Sequence, residues 1–214
     1  MKGQNRPDGL RGDMARLFSD RGTTAGRPSL LKALERVATR PGPQAVLLYR
    51  LSRRLWLRRL EFPSELLWRV NYFLTGADIH PGAEIGGGLR LTHTAGVVIG
   101  KGVRIGSNVT LLHGVTLGGS AKGWFDGTFA DGFPEIGDDT EIMAGAKVLG
   151  PITVGRGCFI GANAVLARDL PDGEAYTPGR ENRELREQVQ QLIERVEALE
   201  RELAKARDPS AQGK

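Results

Sequence analysis

A mainly β chain, centred on a parallel β-helix of hexapeptide repeats and flanked by an N-terminal helical segment and a C-terminal coiled-coil helix, is predicted by three observations. Aliphatic residues recur every six positions from Ile79 through Ile85, Leu91, Val97, Val103, Val109 and Val115. They recur again from Ile136 through Ile142, Val148, Val154, Ile160 and Leu166. Leucine- and arginine-rich segments precede this region, and a heptad of Leu and Val follows it. A period of six fits neither a helix nor an ordinary strand. It fits short parallel strands, three to a coil, each sending one aliphatic inward. Glycine often follows the aliphatic, as at Gly86, Gly137, Gly155 and Gly161, and permits tight corners.

In chain order, residues 1–28 are polar, lack a period and read as a mobile segment. Residues 29–76 read as a basic helical segment: "SLLKALERVATR", a break at "PGP", "QAVLLYRLSRRLWLRRL", then "PSELLWRVNYFL", with Ser64 as its N-cap or Pro63 marking the turn. Arg50, Arg54 and Arg58 share one face of the middle helix. That face reads as a solvated basic surface. With Trp56 and Trp68, it also allows peripheral contact with an anionic membrane. Residues 77–180 form the β-helix, interrupted by a loop at 119–134. An intact coil would put the matching aliphatic 18 positions after Val115, and Ile136 comes 21 positions after it, so the phase is lost there. Residues 181–214 are a coiled-coil helix and tail. Leu185, Val189, Leu192, Val196, Leu199 and Leu203 are spaced 4, 3, 4, 3, 4, with Val189 and Val196 at a and Leu192 and Leu199 at d. A helix packed on its own subunit is the alternative.

Charge follows the same boundaries: +9 over residues 1–77, −3 over 78–180 and −1 over 181–214, for a net +5. No recognition motif accompanies the basic stretch, so nucleic acid is not expected as a partner. No apolar run of about 18 residues occurs, and the first twenty residues lack the apolar core of a secretory signal. The single cysteine, Cys158, has no internal partner and reads as a small coil residue. These features fit a cytoplasmic location. Three histidines over 34 residues without cysteine partners do not suggest a metal.

The motifs "DIHPGAEIG" (78–86), "HTAGVVIG" (93–100), "GVTLGG" (114–119), "AGAKVLGPITVG" (144–155) and "AYTPGR" (175–180) resemble those of the serine acetyltransferases, within the left-handed hexapeptide-repeat acyltransferases. "GPQAVLLYRLSRRLW" (42–56) is similar to that family's last N-terminal helices, without their histidines. The resemblance implies left-handed coils, a homotrimer that could pair into hexamers, and acetyl-CoA as co-substrate in a groove between subunits. It implies His93 as general base, oriented by Asp78 fifteen positions earlier. A neutral hydroxyl is a poor nucleophile. Imidazole, with an ordinary pKa of about 6.5, suits removal of its proton, and a carboxylate can fix the tautomer. Gly118, Gly119, Ser120, Ala144, Lys147 and Arg180 are the candidates for acetyl-CoA, with the phosphates toward Lys147 or Arg180. His80 reads as a supporting residue, and His113 as a contact for acceptor or CoA or, alternatively, an interface residue.

The serine-recognition residues depart from the family's pattern. Thr92 stands where an aspartate precedes the catalytic histidine, and Gly132-Phe133 stand where an Arg-His pair precedes Pro134. "RPS" at 27–29 is the best positional match to the family's Asp-Pro-Ala. These changes favour a sugar or glycan hydroxyl as acceptor, as in surface-polysaccharide assembly, with Phe133 and the loop aromatics either as a stacking surface or simply as anchors of the loop. Thr92, His113, Asp126, Asp131 and Phe133 are the candidate acceptor residues. L-Serine, feeding cysteine biosynthesis, is the alternative. A non-catalytic trimeric scaffold is the second.

Overall fold

The computed structural model describes residues 9, 12–13, 30–119 and 132–207. It divides into two compact units, 1–176 and 177–214. The first contains helices α1 (Leu30–Thr39), α2 (Pro41–Leu57) and α3 (Glu61–Thr75), followed by fourteen short parallel strands. The second contains helix α4 (Pro178–Arg207).

The strands stack on three faces. The first face holds β1 (Asp78–Ile79), β4 (Val98–Ile99), β7 (Thr116–Gly118), β10 (Lys147–Leu149) and β13 (Val165–Leu166). The second holds β2 (Glu84–Ile85), β5 (Arg104–Ile105), β8 (Glu135–Ile136) and β11 (Thr153–Val154). The third holds β3 (Arg90–Leu91), β6 (Thr110–Leu111), β9 (Glu141–Ile142), β12 (Phe159–Ile160) and β14 (Ala175–Tyr176). On the first face Asp78 pairs with Val98, Val98 with Thr116, Thr116 with Lys147 and Lys147 with Val165, all parallel.

All thirteen six-period aliphatics are buried, none more than 7% exposed. Each such side chain is worth about 1.5–3 kcal/mol when taken from water, so this column is the core. The period conceals one shift. The residues that point inward from the strands run Ile79, Ile85, Leu91, then Ile99, Ile105, Leu111 and Leu117. The step from Leu91 to Ile99 is eight positions, so two extra residues enter the corner between β3 and β4. Val97, Val103, Val109 and Val115 continue the period from a different place. Each is the buried turn residue two positions before an inward strand residue. The interruption is correspondingly larger than Val115 suggests. Strands β7 and β8 lie on consecutive faces, yet Leu117 and Ile136 are nineteen positions apart where six would suffice. Residues 120–131 of that excursion lie outside the described residues.

The helices pack beside the first coil. "PGP" follows the break, which falls at the extended Arg40 between α1 and α2. It begins α2, with proline at the first helical positions, where a missing N–H costs nothing. At Gly42 an added Cβ would collide with the Leu91 carbonyl, so this glycine lets α2 approach β3. Ser64 is not a cap. It is buried within α3, donates to the Ser52 carbonyl (2.9 Å), and lies opposite a Ser52 hydroxyl that donates to the Ser64 carbonyl (2.8 Å). Tyr49 donates to the Ala83 carbonyl (2.7 Å), and burial pushes its phenol up to about 12. Gly76, left-handed at φ 71°, ends α3 and admits the turn into β1.

Two expectations about charge change. Arg50 is not on a solvated face: it is 9% exposed and donates to Asp13 Oδ2 (2.7 Å) and to the carbonyls of Ile85 and Gly86 (both 2.5 Å). Asp13, within the stretch expected to be mobile, is 8% exposed and also accepts the Gly88 N–H (2.8 Å). Among the described residues no helix is long and apolar enough to cross a membrane.

Candidate active site

The two-residue insertion brings His93 to the surface. Thr92 and His93 are both exposed at the corner where β3 gives way to β4. Neighbouring residues anchor this bulge. Thr94 is buried and donates to the Thr75 carbonyl (2.5 Å), and the Gly96 N–H donates to the Gly76 carbonyl (3.0 Å). Corners of successive coils then stack. The Gly114 N–H donates to Ala95 O (2.9 Å), Gly145 N–H to His113 O (2.9 Å) and Asn163 N–H to Ala144 O (2.8 Å). This ladder places His113 one coil beyond His93. The two rings meet edge to face with centroids 5.9 Å apart. Ala144 follows one coil further. Thr92, His93, His113 and Ala144 thus share one corner of the solenoid.

Asp78 begins β1 on the adjoining first face. Its Oδ1 accepts the Trp68 Nε1–H at 2.8 Å. Among the described residues no hydrogen bond joins Asp78 to His93, and Oδ2 is uncommitted. Trp68 was not foreseen as a site residue. The sequence offered only a tryptophan ten positions upstream, which allowed a membrane contact without requiring one. Trp56 and Trp68 both face His80, with ring centroids at 5.5 and 4.7 Å. His80 Nδ1 accepts the Gly82 N–H (2.8 Å), so its neutral ring carries the proton on Nε2. Burial, then the Lys101 charge, lowers its pKa, while Asp78 and Glu65 oppose the shift. His80 thus sits between two indoles, one from α2 and one from α3.

The remaining candidates divide between the two ends of the first face. Gly118 ends β7, and Gly119 follows beside the Phe133 ring. That ring lies over Gly100 and Gly102, where any Cβ would meet it within 3.1 Å. Phe133 therefore anchors the returning loop at the corner opposite His93. Lys147 Nζ donates to Gly114 O (2.6 Å) and Thr116 Oγ1 (3.0 Å), tying β10 to β7. Ser120, Asp126 and Asp131 lie outside the described residues, as does the side chain of Arg180.

Short parallel strands on three faces, with a bare histidine bulged from one corner, define a hexapeptide-repeat acyltransferase. The profile described as bacterial transferase hexapeptide (six repeats) matches residues 133–168, and that described as hexapeptide repeat of succinyl-transferase matches 96–122. The serine acetyltransferase of Helicobacter pylori is 50% identical over 133 residues, covering 62% of this chain and 75% of that one. The chain belongs to the serine acetyltransferase family. A serine acetyltransferase from Neisseria gonorrhoeae, solved in complex with serine, superposes with a TM-score of 0.66 at 31% identity over 79% of this chain and 66% of that one. A serine acetyltransferase solved in complex with CoA gives 0.56 at 34% identity, covering 63% and 54%. The chain thus spans roughly half to two thirds of these solved chains. None of these relatives supports the glycan acceptor that Thr92, Gly132 and Phe133 suggested.

Proposed function

We propose that this chain transfers the acetyl group of acetyl-CoA to the hydroxyl of L-serine. The observation that carries the reading is the 50% identity to a serine acetyltransferase across a stretch that includes the exposed His93 corner. His93 takes the hydroxyl proton as the serine oxygen attacks the thioester carbonyl. The tetrahedral intermediate then collapses, the C–S bond breaks, and the imidazolium returns the proton to the leaving CoA sulfur. Asp78, with one oxygen fixed by Trp68, offers the other to orient the imidazole. Acetyl-CoA runs along the first face between Ala144 and Gly118–Gly119. The outward side chains there, Val98 at 36% and Val165 at 57% exposure, suit a face covered by another copy in a homotrimer. Thr92 and Phe133 change how the serine charges are held, not the reaction.

A thiol-release assay across L-serine, L-homoserine and a sugar panel tests the acceptor. L-Serine is expected to give kcat/KM of about 10⁴ M⁻¹s⁻¹ or more, an ordinary enzyme efficiency. Turnover with a sugar but not with L-serine would overturn the assignment.

A further inference from the structure

Helix α4 presents an apolar seam with nothing against it. Val189, Leu192, Ile193, Val196 and Leu199 are 46–63% exposed. They form the a, d and e positions of a heptad, which on a lone helix would leave a continuous stripe in water. The charges beside the stripe are sorted. On the outer face Arg201 pairs with Glu197 one turn away (3.6 Å), and Gln190 reaches Glu194. Arg195 at g and Glu200 at e make no such contact among the described residues.

In a parallel, in-register coil, each g residue meets the e residue five positions later on its neighbour. That rule matches Arg195 with Glu200. Along the sequence it also matches Glu at 181 with Arg at 186, Gln188 with Ile193, and Glu at 202 with Arg at 207. Three of the four matches are opposite charges and none is like-charged. We infer that α4 zips with other copies of this same chain, parallel and in register, using Val189, Leu192, Val196 and Leu199 as the seam and Arg195–Glu200 as the orienting contact.

The test uses the full chain with single cysteines introduced along α4. Cys158 is buried, which raises its pKa and keeps it out of exchange. Leu192→Cys and Leu199→Cys bring identical d positions together and should form disulfide-linked pairs under mild oxidation. Glu194→Cys, on the outer face, should form about tenfold less, because its thiols lack the effective concentration of a seam. Arg195→Glu should reduce the d-position cross-link, and Arg195→Glu with Glu200→Arg should restore it. Equal cross-linking at 192 and 194 would overturn the inference. So would preferential cross-linking in a mixture of Val189→Cys and Leu199→Cys chains, an a and a d position that only an antiparallel pairing brings together. Circular dichroism of each variant separates a lost seam from a lost fold.

Discussion

The indole of Trp68 determines which oxygen Asp78 has to offer. Removing only its N–H, as Trp68→Phe does, frees the carboxylate to rotate while keeping an aromatic ring against His80. A hydrogen bond to a charged acceptor is worth about 1.5–3 kcal/mol, so kcat should fall at least about tenfold with acetyl-CoA KM unchanged. Trp68→Gln retains a side-chain N–H and should recover part of the loss. Steady-state kinetics of both variants measure this, and a Phe variant with wild-type kcat would mean that Asp78 needs no such support. Beside it, His80 has a depressed pKa from burial and Lys101. The unfolded chain therefore binds a proton more readily than the fold. The stability His80 contributes is complete above its unfolded pKa of about 6.5 and is lost as pH falls through the lower folded value. His80→Asn keeps an acceptor for the Gly82 N–H without titrating. Urea midpoints measured between neutral and mildly acidic pH should fall less in that variant than in the wild type. Asp13 poses a third test. Its removal leaves Arg50 buried without a counter-charge, so Asp13→Ala should cost about 3–5 kcal/mol in denaturant unfolding.

Among the structural elements, the corner between β3 and β4 converts a regular solenoid into a site. Two extra residues push His93 outward while Thr94 and Gly96 tie the bulge to the end of α3. Deleting Thr94 and Ala95 should restore the six-residue step and leave the inward column intact, yet withdraw His93. Such a variant should retain its circular dichroism and lose activity to the level of His93→Ala, and full turnover would contradict the role of the bulge. The six-residue period made the solenoid legible, because burial of every sixth side chain is a property of spacing alone. It hid the insertion, because Val97, Val103, Val109 and Val115 keep the count while sitting in turns. His93, the proposed base, came from motif resemblance alone. The Trp68–Asp78 and Asp13–Arg50 contacts were not, since helix-to-strand docking leaves no periodic trace in the residues that make it.

At the level of the whole molecule, the corner that carries the proposed base and α4 fall in separate compact units. Val at a with Leu at d leans toward two strands in an isolated coil, and the proposed trimeric β-helix would override that lean by holding three helices at high local concentration. A chain lacking residues 182–214 should therefore sediment as a trimer and remain active. A monomer, or an inactive trimer, would show that the tail serves assembly or the site. The central claim is narrower: one histidine, bulged from a coil corner, removes the acceptor proton. Thiol release from acetyl-CoA and L-serine by His93→Ala, alongside CoA binding by calorimetry, tests it most directly. The account predicts kcat lower by about 10²–10⁴-fold with CoA affinity nearly unchanged; near-normal turnover in His93→Ala would contradict it.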